Sequence, residues 1–209
     1  MDETKELTTK DRLDGPVERS PLQEAKSRRL EKLAQGLLLG GNDPSVLGGA
    51  ALEGILEILD FERGFIFIAR RDVGGSEADP GSFQPLATRA RKAGGSGEWG
   101  SVRNPDFAVN RSLLKRAVLN AEPFAVNDCL VQPTPESEAQ HRAVLSQSFD
   151  LIPGVRGVLY LDRGLGRGEL GGAELEFLKE FSGRCLLTLT RGYAVSELEA
   201  LRARIKPVR

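Results

Sequence analysis

The sequence contains few reactive side chains, and this scarcity limits the chemistry that it can perform. Its 209 residues include two cysteines, Cys129 and Cys185, and one histidine, His141. A single imidazole excludes any site that needs two histidines, and two thiols cannot build a four-cysteine zinc site. Two cysteines also exclude a disulfide scaffold, and this low count is typical of a reducing cytosol. No metal site and no catalytic residue is predicted.

Cys129 and His141 are the one nucleophile and base that could work together, because a nearby imidazole can hold a thiolate. Both lie between Cys129 and Arg142, a segment with Pro133 and Pro135 for which no regular structure is predicted. A histidine in such a loop is more often simply solvated. Cys185 lies on the apolar face of a predicted helix and is expected to be buried. A thiol-based redox function of Cys129 is therefore kept as an alternative.

A glycine motif follows the last predicted strand. Gly166-Arg-Gly168-Glu-Leu-Gly171 fits G-x-G-x-x-G and precedes a helix, as a dinucleotide fingerprint does. That fingerprint needs a parallel βαβ unit with a second strand, and nothing after Ala173 resembles a strand. We therefore interpret the motif as a glycine-rich turn.

Polar residues near the middle of the chain are candidates for binding. Asn127, Asp128 and Cys129 directly follow a short predicted strand, where binding groups often collect, although an Asn-Asp turn that ends a strand is equally compatible. Arg111 places positive charge on the preceding predicted helix. It could meet an anionic ligand or form part of a solvated helix face.

The predicted elements indicate an α+β fold. Ser20-Pro21 and Asp43-Pro44 each begin a helix by cap-plus-proline chemistry. Strands are predicted for Phe65–Ala69 and Phe83–Arg91, and a helix capped by Asn110 follows. The remaining predicted elements are a strand at 123–126, a hairpin of 146–152 and 157–162 turning at Pro153-Gly154, a helix over 173–191 and a polar helix over 196–205. The order predicts a mostly antiparallel central sheet of five to six strands flanked by helices.

The overall charge restricts the partners and the location. Lys+Arg 29 against Asp+Glu 30 gives a net charge of −1, which does not favour nucleic acid or an anionic membrane surface. No stretch is apolar for long enough to span a membrane, and the polar first residues do not resemble a signal peptide. We expect a cytoplasmic protein.

Three stretches together resemble the GAF domain, a small sensory fold of bacterial regulators, phosphodiesterases and phytochromes. The first runs from Leu56 to Ile68, where a helix ends at an acidic turn and Arg-Gly opens a strand. The second runs from Ser112 to Asp128, with a helix, a Glu-Pro turn and a short strand. The third is the strand Gly157–Asp162 followed by the helix Ala173–Leu189. The signatures of cyclic-nucleotide-binding and chromophore-binding members are absent, so neither the ligand nor any cofactor is identified.

The resemblance implies a regulatory sensor rather than an enzyme, in a signalling or transcription-regulatory protein. Residues 1–19 lack apolar periodicity and are predicted to form a flexible polar tail. The resemblance implies a GAF-like domain at 20–191 and a signalling helix or linker at 192–209. Ligand in this family sits between the sheet and the segments that cover it. The implied ligand-binding residues are Phe67, Arg89, Arg111, Asn127, Asp128, Cys129, His141 and Phe149.

The resemblance also implies a homodimer, formed through the Leu22–Leu38 helix and the C-terminal helices. The ligand would be a small molecule or a protein partner. A ligand-free structural dimerisation module is the second alternative. No output domain is expected before Arg209, so the chain would be the sensory part of a larger regulator or act through a partner.

Overall fold

The computed structural model describes residues 20–70, 83–92, 97–106, 108–120, 122–131 and 140–205. The predicted tail at 1–19, the two prolines at 133 and 135 and the last four residues lie outside these ranges. The elements are α1 (Pro21–Leu39), α2 (Pro44–Leu59), β1 (Arg63–Arg70), β2 (Phe83–Arg91), β3 (Trp99–Gly100), α3 (Arg111–Leu119), β4 (Phe124–Val131), β5 (Gln140–Ile152), β6 (Val155–Gly164), a 3₁₀ turn (Leu165–Arg167), α4 (Gly172–Phe181), a π-helical turn (Ser182–Leu186) and α5 (Leu187–Arg204).

The strands form one six-stranded sheet in the order β3-β2-β1-β6-β5-β4. Every pairing in it is antiparallel. This confirms the predicted α+β class with a mostly antiparallel sheet. The glycine motif at Gly166–Gly171 follows an antiparallel strand, and in the described part of the chain no strand comes after it. The parallel unit that a dinucleotide site requires is therefore not formed there.

Alternate residues of the central strands support two separate cores, because successive side chains of a strand point to opposite faces. On β1, Phe65 and Phe67 lie in what we call the α3 core, on the side that α3 covers. Ile66 and Ile68 lie in the main core, which α1, α2, α4 and α5 cover. Because both faces are covered, β1 is a continuous apolar run rather than an alternating one.

The helices α1 and α2 begin where the local chemistry predicts. Ser20 caps α1, its hydroxyl accepting from the Gln23 amide at 3.3 Å while the Gln23 side chain accepts from the Ser20 amide at 3.0 Å. Asp43 caps α2 by accepting from the amides of Ser45 and Val46 at 2.8 and 3.2 Å. Asp60, in the left-handed region with φ 54°, ends α2 and turns the chain into β1.

Two predictions about the second half of the chain were wrong. The segment from Cys129 to Arg142 is not irregular at its ends, because Cys129 pairs with Arg142 and Leu130 with His141 in the β4–β5 ladder. The prediction was wrong because Pro133 and Pro135 lie between the two strand ends and indicate irregular structure. The two helices expected at 173–191 and 196–205 form one continuous helical rod, in which a π-helical turn separates α4 from α5.

Helix α5 packs closely on the start of α2, and Gly192 permits this approach. A Cβ atom at Gly192 would lie 2.7 Å from Leu47 Cδ1 and 3.0 Å from the Asn42 carbonyl oxygen.

We expect Gly192→Ala to lower the free energy of unfolding by about 1–3 kcal/mol through overpacking. Urea denaturation measures this change. The control is Gly36→Ala in α1, where nothing lies within 4 Å of the added Cβ; we expect it to raise stability by about 0.5–1 kcal/mol. Equal effects of the two substitutions would contradict the packing argument.

Candidate functional site

A buried carboxylate lies where β1, β5 and β6 meet, on the α3 side of the sheet. Asp162 is completely buried and accepts from Arg63 Nε at 2.8 Å and Arg63 Nη2 at 2.7 Å. Arg142 Nε donates to the same carboxylate at 2.6 Å. Both guanidinium groups are themselves largely buried, with 14% and 9% of their side chains exposed. A buried carboxylate is tolerated in this setting because two charged partners satisfy it.

The ion pairs continue from Asp162 to the end of α2. Arg142 Nη2 donates to Glu62 at 2.5 Å, and Glu62 accepts from Arg167 Nε at 3.2 Å. Arg167 also contacts Asp60, the residue that ends α2. This Asp162–Arg142–Glu62–Arg167–Asp60 series, which we call the ionic chain, joins β6 and β5 to the turn between α2 and β1.

The same cluster holds the segment that leads into α3. Arg63 Nη2 donates to the Ala108 carbonyl oxygen at 3.3 Å. The Asn110 amide donates to the Tyr160 hydroxyl at 3.5 Å, and the Asn110 side chain donates to Cys129 Sγ at 3.3 Å and to the Leu130 carbonyl at 3.4 Å. Its Oδ1 atom simultaneously caps α3 by accepting from the amides of Ser112 and Leu113. The position of α3 therefore depends on contacts to three strands, β1, β4 and β6.

Aromatic side chains occupy the space beneath α3. Phe65, Phe67 and Tyr160 are each 0% exposed. The rings of Phe65 and Phe67 stack with centroids 6.0 Å apart, and Tyr160 meets Phe65 edge-on at 5.9 Å. Leu114 and Ala117 of α3 belong to the same core. The residues that would line a ligand pocket in this region pack against one another.

The predicted site residues do not converge on one place. Phe67 and Cys129 lie in the α3 core. Phe149 instead packs against the main core on the opposite face of the sheet. Arg89 also lies on that opposite face, where it donates to Glu53 of α2 at 2.5 Å. Arg111 is exposed on α3 and lies 3.9 Å from Asp106.

Cys129 and His141 are separated by the sheet. The Cys129 side chain is buried in the α3 core, whereas His141 is exposed and its Nδ1 contacts the Asp128 carboxylate. Burial raises the pKa of the Cys129 thiol, and the charges of Asp162 and Asp128 raise it further against the lowering effect of the Asn110 hydrogen bond. A reactive cysteine needs a lowered pKa and an accessible sulfur. The geometry therefore does not support a Cys129–His141 pair.

The side chain of Asn127 binds the backbone of Leu170 in the glycine-rich turn. Its side-chain nitrogen donates to the Leu170 carbonyl at 3.1 Å, and its side-chain oxygen accepts from the Leu170 amide at 2.6 Å. This amide therefore binds the backbone as a neighbouring strand would, at the outer edge of β4. The contact attaches the glycine-rich turn to the sheet.

Arg89 borders an open groove of about 450 Å³ between the start of α2 and the edge of β2. Its lining includes Val46, Pro85, Leu86 and Thr88. The guanidinium is already paired with Glu53, and the start of α2 is already capped by Asp43. The groove thus offers apolar surface and hydroxyl groups to a ligand. The positive charge of Arg89 at its border is neutralised by Glu53.

Sequence reasoning missed Asp162, Arg63, Arg142, Asn110 and Tyr160 as members of the central cluster. One signal was available for two of them. Strand alternation places Arg63 on the same face as Phe65 and Phe67, and it places Asp162 on the same face as Tyr160. A charged residue on the same strand face as buried aromatic residues indicates a buried ion pair. The strand order must also be known, because the partner of the pair lies on a neighbouring strand.

Across the ranges that the structure describes, no group of three or more His, Cys, Asp or Glu side chains could hold a metal ion. No helix in those ranges is both long enough and apolar enough to cross a membrane.

The fold is similar to solved GAF domains. The GAF domain of a phosphoenolpyruvate-protein phosphotransferase from Coxiella burnetii superposes with a TM-score of 0.52 and 16% identity, over 88% of this chain and 99% of that one. The phycoerythrobilin-bound GAF domain from a cyanobacterial phytochrome gives a TM-score of 0.51 and 11% identity, over 82% of this chain and 97% of that one. No protein-family model matches the sequence, and no curated protein matches it. The chain therefore has a GAF-like fold, which confirms the resemblance at the level of architecture.

Asp162→Asn tests the importance of the buried carboxylate. The substitution keeps the shape but leaves two largely buried guanidinium groups without their shared anion, so we expect the free energy of unfolding to fall by about 3–5 kcal/mol. Urea denaturation measures it. Asp150→Asn is the matched control, because Asp150 pairs with Arg156 but its side chain is 82% exposed; we expect a loss of about 0–1 kcal/mol. A small and equal loss in both variants would show that the cluster is not a structural centre.

The ionic chain also predicts an acid-sensitive contribution to stability. Burial alone would raise the pKa of Glu62, but the hydrogen bonds and charges of Arg142 and Arg167 outweigh it and hold this pKa below its ordinary value of 4.5. The stabilisation is therefore fully present above about pH 4.5 and is lost as the pH falls through the lowered folded-state pKa. We expect Glu62→Gln to flatten the decline of the unfolding free energy between about pH 5 and pH 3. The exposed Glu199→Gln is the control, and an unchanged slope in Glu62→Gln would contradict this assignment.

Proposed function

We propose that this chain is a regulatory sensor domain that homodimerises and transmits its signal through the terminal helices α1 and α5. The observation that carries the proposal is an exposed apolar stripe along α5. Its large members are Leu187, Leu198 and Leu201, with 66%, 55% and 53% exposure, and Ile205, the residue that follows α5, with 75% exposure. Together with Arg191 and Ala194 they repeat at spacings of four and three residues, the pattern of a coiled-coil seam.

Helix α1 supplies a second surface for the same interface. It packs on the domain through Leu30 and Leu37, which are 0% and 3% exposed. Leu22 and Leu38 on the same helix are 66% and 55% exposed. The predicted dimer through Leu22–Leu38 and the C-terminal helices thus has apolar side chains available on both elements. Single exposed leucines are ordinary on a protein surface, but a run of them at heptad spacing is unusual for a solvated helix.

The packing beneath α3 supports a protein partner as the input signal rather than a small molecule held in that region. A ligand there would have to displace fully buried aromatic rings that are in contact with one another. We therefore propose that an adjoining domain or a separate protein supplies the signal, within a cytoplasmic signalling or transcription-regulatory protein. Native mass spectrometry tests this point, since a small molecule that co-purifies with the folded chain would contradict it.

The proposed domain breaks no bond. Support comes from the buried Cys129 thiol with its raised pKa and from the separation of Cys129 and His141 by the sheet. Both features oppose the redox alternative. The ligand-free dimerisation module, in contrast, shares the observed packing with the proposal and differs only in receiving no signal.

Introducing negative charges into the apolar stripe of α5 tests whether the chain forms the proposed dimer. We expect the wild-type chain to be dimeric at tens of micromolar by light scattering and Leu198→Glu/Leu201→Glu to be monomeric, because paired carboxylates in a seam repel and remain unsatisfied. Leu130→Glu on β4 is the matched control, since Leu130 has the same 55% exposure as Leu198 but lies outside both helices. A monomeric wild-type chain, or loss of the dimer in Leu130→Glu alone, would refute this interface.

A further inference from the structure

The helical rod at the end of the chain contains one irregular turn. Residues Ser182–Leu186 adopt a π-helical turn between α4 and α5. A π-turn closes its hydrogen bond over one residue more than an α-turn does, so it takes up one extra residue without advancing the helix by a full residue. The residues around the turn show what favours it and what it changes in the helix.

One series of buried residues shows what the turn changes. It recurs at every fourth position, at Phe177, Phe181, Cys185, Leu189 and Tyr193, with Leu178 and Leu186 of the same core beside it. In an uninterrupted α-helix, each fourth residue lies about 40° past a full turn, so the last member would lie about 160° from the first. Absorbing one extra residue removes about 100° of this drift. The turn therefore keeps all five side chains on the buried face.

The side chains at the turn favour the irregular geometry. The Ser182 hydroxyl lies 2.9 Å from the Leu178 carbonyl oxygen, one turn back, where it competes with the helical hydrogen bond. It also lies 2.5 Å from Gln147 Oε1 on β5. Gly183 follows on the exposed side, and a Cβ there would meet nothing within 4 Å. The turn is thus connected to the sheet on one side and is unobstructed on the other.

We propose that the π-turn sets the rotational phase of α5, and with it the direction in which the dimer stripe faces. Loss of the turn without loss of a residue would rotate α5, including Leu198 and Leu201, by about 100° relative to α4. The Ser182–Gln147 contact connects this turn to β5. The claim that the turn directs the dimer stripe rests on the proposed function. The claim that the turn sets the rotation of α5 relative to α4 does not.

Deletion of one residue tests the phase directly. If the turn holds one residue in excess, deletion of Gly183 converts it to a regular α-turn and leaves α4 and α5 in their present phase. We therefore expect the melting temperature to stay within about 3 °C of the parent. Deletion of Arg191, also exposed but within regular α5, rotates Gly192 and Tyr193 away from their contacts, and we expect a fall of more than about 10 °C. Both deletions are made in the monomeric Leu198→Glu/Leu201→Glu background, so that dimer formation does not affect the result.

The outcomes separate the two claims. A loss for the Gly183 deletion as large as that for the Arg191 deletion, or failure of the Gly183 deletion to fold, overturns the phase assignment whatever the oligomeric state. A tolerated Gly183 deletion with a monomeric wild-type chain supports the phase assignment and refutes the dimer. In dimers, disulfide cross-linking through Leu201→Cys should survive the Gly183 deletion, because the stripe keeps its direction. Its loss in a folded, dimeric deletion variant would overturn the link between the turn and the stripe.

Discussion

The buried Asp162 carboxylate is the constraint on which the α3 side of the domain depends. It has no exposed surface, and its hydrogen-bond partners Arg63 and Arg142 reach it from two neighbouring strands. This pairing sets the register of β1, β5 and β6, because a shift of one residue would move a guanidinium to the other face. Arg63 is also bonded to Ala108, so the same charge positions the approach to α3.

From this centre the contacts run to the helices that we propose to carry the signal. The ionic chain ends at Asp60, where α2 stops, and α2 meets α5 at the close approach of Leu47 and Gly192. A second connection joins Arg70 at the end of β1 to Tyr193 and Glu197 on α5, each at 3.0 Å. The α3 side and α5 are therefore linked by packed and hydrogen-bonded groups. This arrangement suits a domain whose two cores are both filled by its own side chains.

The elements of the fold could largely be predicted from local chemistry, whereas the site could not. Caps such as Ser20 and Asp43, and the Pro153-Gly154 turn, act over a few residues and appear directly in the sequence. Which face a strand residue occupies depends on alternation within its own strand, but whether Phe67 and Phe149 share a face depends on register between strands. Residues 82 positions apart carry no local signal of that register. A bulge between Ile66 and Phe67 further shifts the pairing of β1 with β2, so alternation alone could not place Arg89.

The sequence by itself determined the class of fold, the scarcity of cysteine and histidine and the heptad spacing on the last helix, because each is a matter of residue type and short-range spacing. Only the tertiary structure decided that Cys129 is buried and faces away from His141, that Asp162 is buried between two guanidinium groups, and that a π-turn separates α4 from α5. These features arise from contacts between distant segments and from burial, which changes the energy of a charge or a thiol far more than its identity does. The scarcity of cysteine and histidine and the packed α3 core both agree with the proposal that this domain acts through its surfaces.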